Sequence, residues 1–199
     1  MDLKYFSRYS KLFKIAFESL SNAFRLHYDS FILYQNRSYS TSFVLSVLAL
    51  EEFGKFLIYN DLAWHKSVGE GSVPAGDIEM YKKYLKESLS SHTRKIQHVI
   101  SWHLGPMLKK GLEKKLEKLS SERLSALYVG VNPKNGHVIL PKKFSKLKAK
   151  SQMKLMNNKI LLECAIEVKR KNWHFDTDEM NNLIKKNFKK LQKISEKLN

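Results

Sequence analysis

The sequence predicts an all-α protein, a helical bundle of about five to seven helices, with one small β-hairpin near residues 128–140. Three observations carry that expectation. Apolar residues recur at spacings of three and four along most of the chain, the signature of helices with one buried face. Only eight Gly and four Pro occur in 199 residues, and they gather at a few breaks. Two short β-prone runs face each other across a turn-rich connector. With 43% hydrophobic and 12% aromatic residues, the chain has enough apolar surface to bury a core and is unlike a disordered one. A single domain over 1–199 is expected, with its core at 3–127, the hairpin at 128–141 and basic C-terminal helices at 142–199.

Residues 3–35 place Leu12, Ile15, Ala16, Ser19, Ala23, Leu26 and Ile32/Leu33 on one face of a long helix. Asn36-Arg37 breaks it, and Ser40 is the expected N-cap of a second helix running to about His65, the most apolar in the chain. The glycines at 69, 71 and 76, with Pro74, mark a loop. Asp77 should cap a third helix reaching about His103, which Gly105-Pro106 ends before a short Lys-rich helix over 107–127. Tyr128 to Val131 and His137 to Leu140, joined through Asn135-Gly136, form the expected hairpin. Helices over 143–171 and 178–197 follow, the second capped by Thr177.

The lone Cys164 excludes an intramolecular disulfide framework and reads as a reduced core residue. Arg8, Lys11 and Lys14 interrupt any apolar run at the N-terminus, so no signal peptide is expected. The longest uncharged apolar-looking stretch, Ser38 to Leu50, is shorter than the about 20 residues a membrane-spanning helix needs. A cytoplasmic location is therefore expected. The formal net charge of +17 is spread unevenly: residues 1–65, 66–141 and 142–199 carry +1, +6 and +10. Such a gradient fits contact with a polyanion, either nucleic acid or an acidic protein face, and equally fits solvated Lys-rich helices.

Glu51-Glu52-Phe53-Gly54-Lys55 lies inside the most apolar helix. Glu51 interrupts the stripe Val44, Leu48, Ile58 and Leu62, and Glu52 interrupts the stripe Leu45, Ala49, Phe56 and Tyr59. Buried carboxylates need partners, and two sources are available: Lys55 at i,i+4 from Glu51, or groups on other helices. A mid-helix Gly costs about 1 kcal/mol relative to Ala, which close approach of another backbone or a ligand would offset. Ser91-His92-Thr93-Arg94-Lys95, with Gln97 and His98, is the second polar cluster and the expected source of partners, His92 and Lys95 sharing a face. Glu51, Glu52 and His92 lack ligand spacing such as His-Glu-x-x-His, so neither metal nor cofactor is expected. No nucleophile motif and no phosphate-binding glycine loop occurs, and Trp64, Trp102 and Trp173 read as packing anchors.

Asn22-Ala23, Glu51-Glu52-Phe53-Gly54-Lys55, His92-Thr93-Arg94-Lys95 and Arg123 to Val129 follow one another in an order that resembles the AbiV family of abortive infection proteins. The resemblance spans about residues 15–141 and implies antiphage defence, with the infected cell arrested before virions are released. It also implies kinship with the helical HEPN superfamily, many of whose members are metal-independent ribonucleases acting as dimers. The Arg and His of such nucleases stand four to six residues apart, whereas Arg94/His98 and Arg170/His174 have three residues between them. Gly130 occupies the place where the family pattern commonly carries Asp. The expected polar core cluster is Glu51, Glu52, Lys55, His92, Lys95, Arg123 and Tyr128; His92, Arg94 and His98 are the candidates for RNA chemistry. Three functions remain open: a homodimeric effector acting on translation or RNA, a ribonuclease, and a non-catalytic module that binds an acidic phage protein.

Overall fold

Absence of Gly and Pro from residues 3–35 lets a single helix, α1 (Leu3–Gln35), run for 33 residues in the computed structural model. The structure describes residues 3–67, 83, 86–87, 89–101, 109–127, 130–131, 134, 137–169 and 178–199. α1 ends in a left-handed residue, Arg37, at φ 64°, a position usually given to Gly. Ser38 N–H reaches back to Leu33 O at 2.9 Å and Arg37 N–H to Tyr34 O at 3.0 Å, the paired bonds of a Schellman cap. The chain thereby reverses at once into α2 (Tyr39–Ser67). Ser38 O accepts from Ser42 N, so the cap position of α2 is Ser38, two residues before the expected Ser40. Ser40 Oγ has a different role, accepting from Phe144 N at 2.8 Å and tying the C-terminal half to the hairpin of helices.

α1 buries Ala16, Leu20, Ala23, Phe24 and Leu26 against α2. Ile15 and Ile32, expected on that face, are exposed, because the buried stripe centres on Leu20 and Phe24. Most of α2 is enclosed: Phe43, Val47, Leu50, Phe53, Leu57 and Ile58 are all buried, the helix packs against α1 and three later helices, and Glu52 and Lys55 lie on its partly solvated side. Its high hydrophobicity therefore reflects a central position.

The third helix, expected to be continuous, is interrupted among its described residues. Ser91 interrupts helical residues 89–90 and starts α3 (His92–Ser101), its Oγ accepting from Arg94 N at 3.3 Å as an N-cap. α4 (Lys109–Leu127) packs on α2 and α3. The hairpin expected over 128–140 is not formed at that size. β1 (Gly130–Val131) and β2 (Val138–Ile139) are two-residue segments in antiparallel register, Gly130 opposite Ile139, and the architecture is all-α with six helices among the described residues. A glycine at the first paired position has no side chain to pack, and two residues a side give no sheet of independent stability.

α5 (Lys146–Lys169) and α6 (Asp178–Leu198) complete the bundle, packing on each other and on α1. α6 is basic outside and apolar inside: Met180, Ile184, Leu191, Ile194 and Leu198 form a buried stripe at helical spacing. Phe144 packs against Phe43 with the rings tilted at 55° and their centroids 4.4 Å apart, fixing the start of α5 against α2. Cys164 is buried. No helix among the described residues is long and apolar enough to cross a membrane. Glycines 69–76, Asp77, Gly105, Tyr128, Arg170, His174, Thr177, Trp102 and Trp173 lie outside the described residues, as does the side chain of Trp64.

Candidate functional site

Helix periodicity sends Glu51 inward from α2, and its carboxylate is 3% exposed. Its partners come from other helices. His92 Nδ1, on the first turn of α3, lies 2.6 Å from Glu51 Oε2. Arg123, near the end of α4, places Nη1 3.3 Å from the same oxygen and 3.1 Å from Oε1. One carboxylate thus joins three helices, a geometry that no i,i+4 pair on α2 could supply. Arg123 is itself buried, and its Nε has no hydrogen-bond partner among the described residues.

Lys55, the in-helix partner expected for Glu51, pairs instead with Glu52, one turn earlier on the same face. That pair is partly solvated and holds the edge of the cluster. Gly54 explains how α3 reaches the carboxylate. A Cβ built at Gly54 would lie 2.2 Å from the backbone oxygen of Lys95 and 2.8 Å from its carbonyl carbon. The two helix backbones touch at this point, which is the close approach that a mid-helix glycine allows. It draws Lys95 into the junction with 7% of its surface exposed. Burial pushes the Lys95 ammonium pKa down; neighbouring Lys55 and Arg123 add to the effect, and Glu51 and Glu52 oppose it.

The structure therefore brings Glu51, His92 and Arg123 into contact and sets Glu52, Lys55 and Lys95 around them, whereas Tyr128 lies outside the described residues. Arg94 points elsewhere: its Nη1 is 2.5 Å from Glu87 Oε2 in an exposed ion pair, which holds the Glu87 carboxyl below its usual range. His98 lies on α3, with its side chain outside the described residues. Among the described residues no group of three or more His, Cys, Asp or Glu is arranged to hold a metal ion.

Two features escaped sequence reasoning. An open groove of about 700 Å³ runs beside the cluster, lined by Lys11, Lys14, Ile15, Glu18 and Arg25 of α1 and by Glu52. The second is a buried relay: His27 Nε2 is 3.0 Å from Asn157 Oδ1, and Asn157 Nδ2 donates to Leu191 O at 3.2 Å. A histidine on the buried face of α1 was its only sequence signal.

A family model described as AbiV, of the HEPN type, matches residues 11–162. The chain belongs to the AbiV family. The match covers α1 from Lys11 onward, α2 to α4 and most of α5, hence every described residue of the Glu51 cluster, while α6 lies beyond it. Comparisons with curated proteins and with solved structures return no match. AbiV membership carries the chain into abortive-infection defence against phage.

Proposed function

We propose that this AbiV-family chain blocks phage development through macromolecular contact, as a cytoplasmic homodimer that engages a phage protein and thereby interferes with translation or RNA in the infected cell. On this reading the Glu51 cluster is an organising network for the helical core. The observation that carries it is the commitment of Glu51. Its carboxylate is buried and met by both His92 and Arg123, so it is poorly placed to serve as an exchanging base. Arg94, the cation a phosphodiester would need beside a histidine, is held by Glu87. The contact surface is the lysine-rich outer face of α6, where Lys185, Lys186, Lys189 and Lys193 are exposed opposite the buried stripe.

Phage plating on cells expressing the chain tests this. Arg94→Ala with His98→Ala should leave plaque reduction within about threefold of wild type, whereas Lys185, Lys189 and Lys193 changed together to Glu should lower it at least tenfold. The reverse pattern, joined by metal-free cleavage of cellular RNA that His92→Ala and His98→Ala abolish, would replace this reading with a ribonuclease.

A further inference from the structure

From Arg123 to Leu162 the chain contains no Asp or Glu, while nine of those residues are Lys or Arg. The carboxylates bounding the stretch are both committed inward: Glu122 pairs with Lys148, and Glu163 is buried. Within it, helix periodicity sorts α5. Met153, Met156, Ile160 and Cys164 face the core, which leaves Leu147, Ser151, Leu155, Asn158 and Leu162, at spacings of three and four, along the opposite side. Lys150 and Lys154 follow one edge of this outer stripe and Lys159 the other, with Lys143 and Lys146 at its N-terminal end. None of these five lysines forms an ion pair among the described residues.

The leucines of this face stand in water. Leu147 is 76% exposed and Leu162 45%, and Leu140, just ahead of the helix, is 72% exposed. The end that carries Leu140 and Leu147 is nevertheless firmly fixed. Lys142 N–H donates to Ser125 O at 2.7 Å and Phe144 N–H to Ser40 Oγ at 2.8 Å, and the Phe144 ring between the two leucines is buried. Folding has thus already ordered a surface that the bundle does not cover, and a partner need not order it again.

Charge and side-chain chemistry select that partner. A second copy would set lysines against lysines, and a nucleic-acid backbone offers the leucines nothing apolar. Anchors of protein interfaces are drawn chiefly from Trp, Tyr and Arg, with Lys depleted, and α5 contains none of those three. An anionic bilayer meets both needs: acyl chains take the leucines, and headgroup phosphates take ammonium groups carried on apolar stems. At 1.5 Å per residue Leu147 and Leu162 lie about 22 Å apart along a protruding helix, a length suited to a flat surface.

We propose that the outer face of α5, with Leu140 ahead of it, is a docking surface for an anionic phospholipid membrane. α5 lies along the bilayer with Leu140, Leu147 and Leu162 inserted among the lipids and Lys143, Lys146, Lys150 and Lys154 on their phosphates. The surface is on a different helix from the α6 contact face, and either can fail without the other.

The test is co-sedimentation of the purified full chain with vesicles of phosphatidylcholine alone, or mixed in equal parts with phosphatidylglycerol. Saturable binding to the mixed vesicles, weaker at higher salt, is expected, with little binding to phosphatidylcholine alone. Leu140→Ser with Leu147→Ser should weaken binding at least tenfold; Leu147→Ser alone should weaken it several-fold and serves if the pair does not fold. Changing Lys143, Lys146 and Lys150 together to Gln should also cost at least tenfold. Changing Lys185, Lys189 and Lys193 to Gln removes the same charge from α6 and should leave binding within about threefold of wild type. Equal loss from the two lysine sets, or binding indifferent to the leucine changes, would mean adsorption by net charge and overturns the proposal. So does capture by polyglutamate without vesicle binding, which would point to an acidic protein instead.

Discussion

His27 is the residue at which burial most clearly sets chemistry. Asn157 Nδ2 donates to Leu191 O, so Asn157 Oδ1 must accept, and the His27 proton therefore resides on Nε2. Nδ1 is left buried without a partner. Burial pushes the imidazole pKa down from 6.5 to about 4, and the Asn157 bond opposes only part of that fall. The unfolded chain takes up this proton near pH 6.5 and the folded chain only near pH 4, so folding stability falls as pH drops through that window. The full loss is on the order of 3 kcal/mol, since each pH unit across the window is worth about 1.36 kcal/mol. Urea unfolding at pH 7, 5.5 and 4.5 should show that fall in wild type and a shallower one in His27→Gln. Identical slopes would mean that His27 is not the group responsible.

Between elements, the governing feature is the touching of α2 and α3 at Gly54. The atoms a Cβ would strike are the Lys95 backbone oxygen and carbon, neither of which can swing aside as a side-chain end would. Gly54→Ala gains about 1 kcal/mol of helix propensity. Overpacking against backbone costs about 1–3 kcal/mol or more, and the helices must part, which also pulls His92 off Glu51. A net destabilisation of about 2 kcal/mol is expected by urea unfolding. An unchanged or higher midpoint would show that the two backbones do not meet there. The same contact explains why the Glu51 cluster draws its partners from α3 and α4: once α3 is seated on Gly54, its first turn lies over the carboxylate.

At the scale of the molecule, the formal charge of +17 repels itself, and among the described residues few of the cations are neutralised by close carboxylates. Raising sodium chloride from about 10 mM to about 0.1 M shortens the screening length from about 30 Å to about 10 Å. The melting temperature should then rise by at least about 2 °C, corresponding to a gain of a little under 1 kcal/mol for a chain of this size. A fall instead would show that the ion pairs outweigh the repulsion. α6 contributes many of these charges yet belongs to the bundle, because its apolar stripe from Met180 to Leu198 seats it on α1 and α5.

The sequence by itself determined the helices, because periodicity, scarce Gly and Pro, and capping residues are local properties: α1, α4 and α6 lie within about two residues of where those signals put them. It also determined that Glu51 needed partners and that Gly54 needed a close neighbour, since an ionised group in an apolar stripe and a glycine inside a helix are both costly alone. Which partners answered was decided only in three dimensions. Lys55 lies nearest in sequence, but His92 and Arg123 lie 41 and 72 residues from Glu51 and reach it because the α2–α3 contact and the packing of α4 bring them there. The hairpin shrank for the complementary reason: β-prone runs state a preference, and pairing length depends on what the strands can pack against. Lys95 shows both parts: the sequence placed it in the polar cluster, and the backbone contact at Gly54 decided how deeply it is buried.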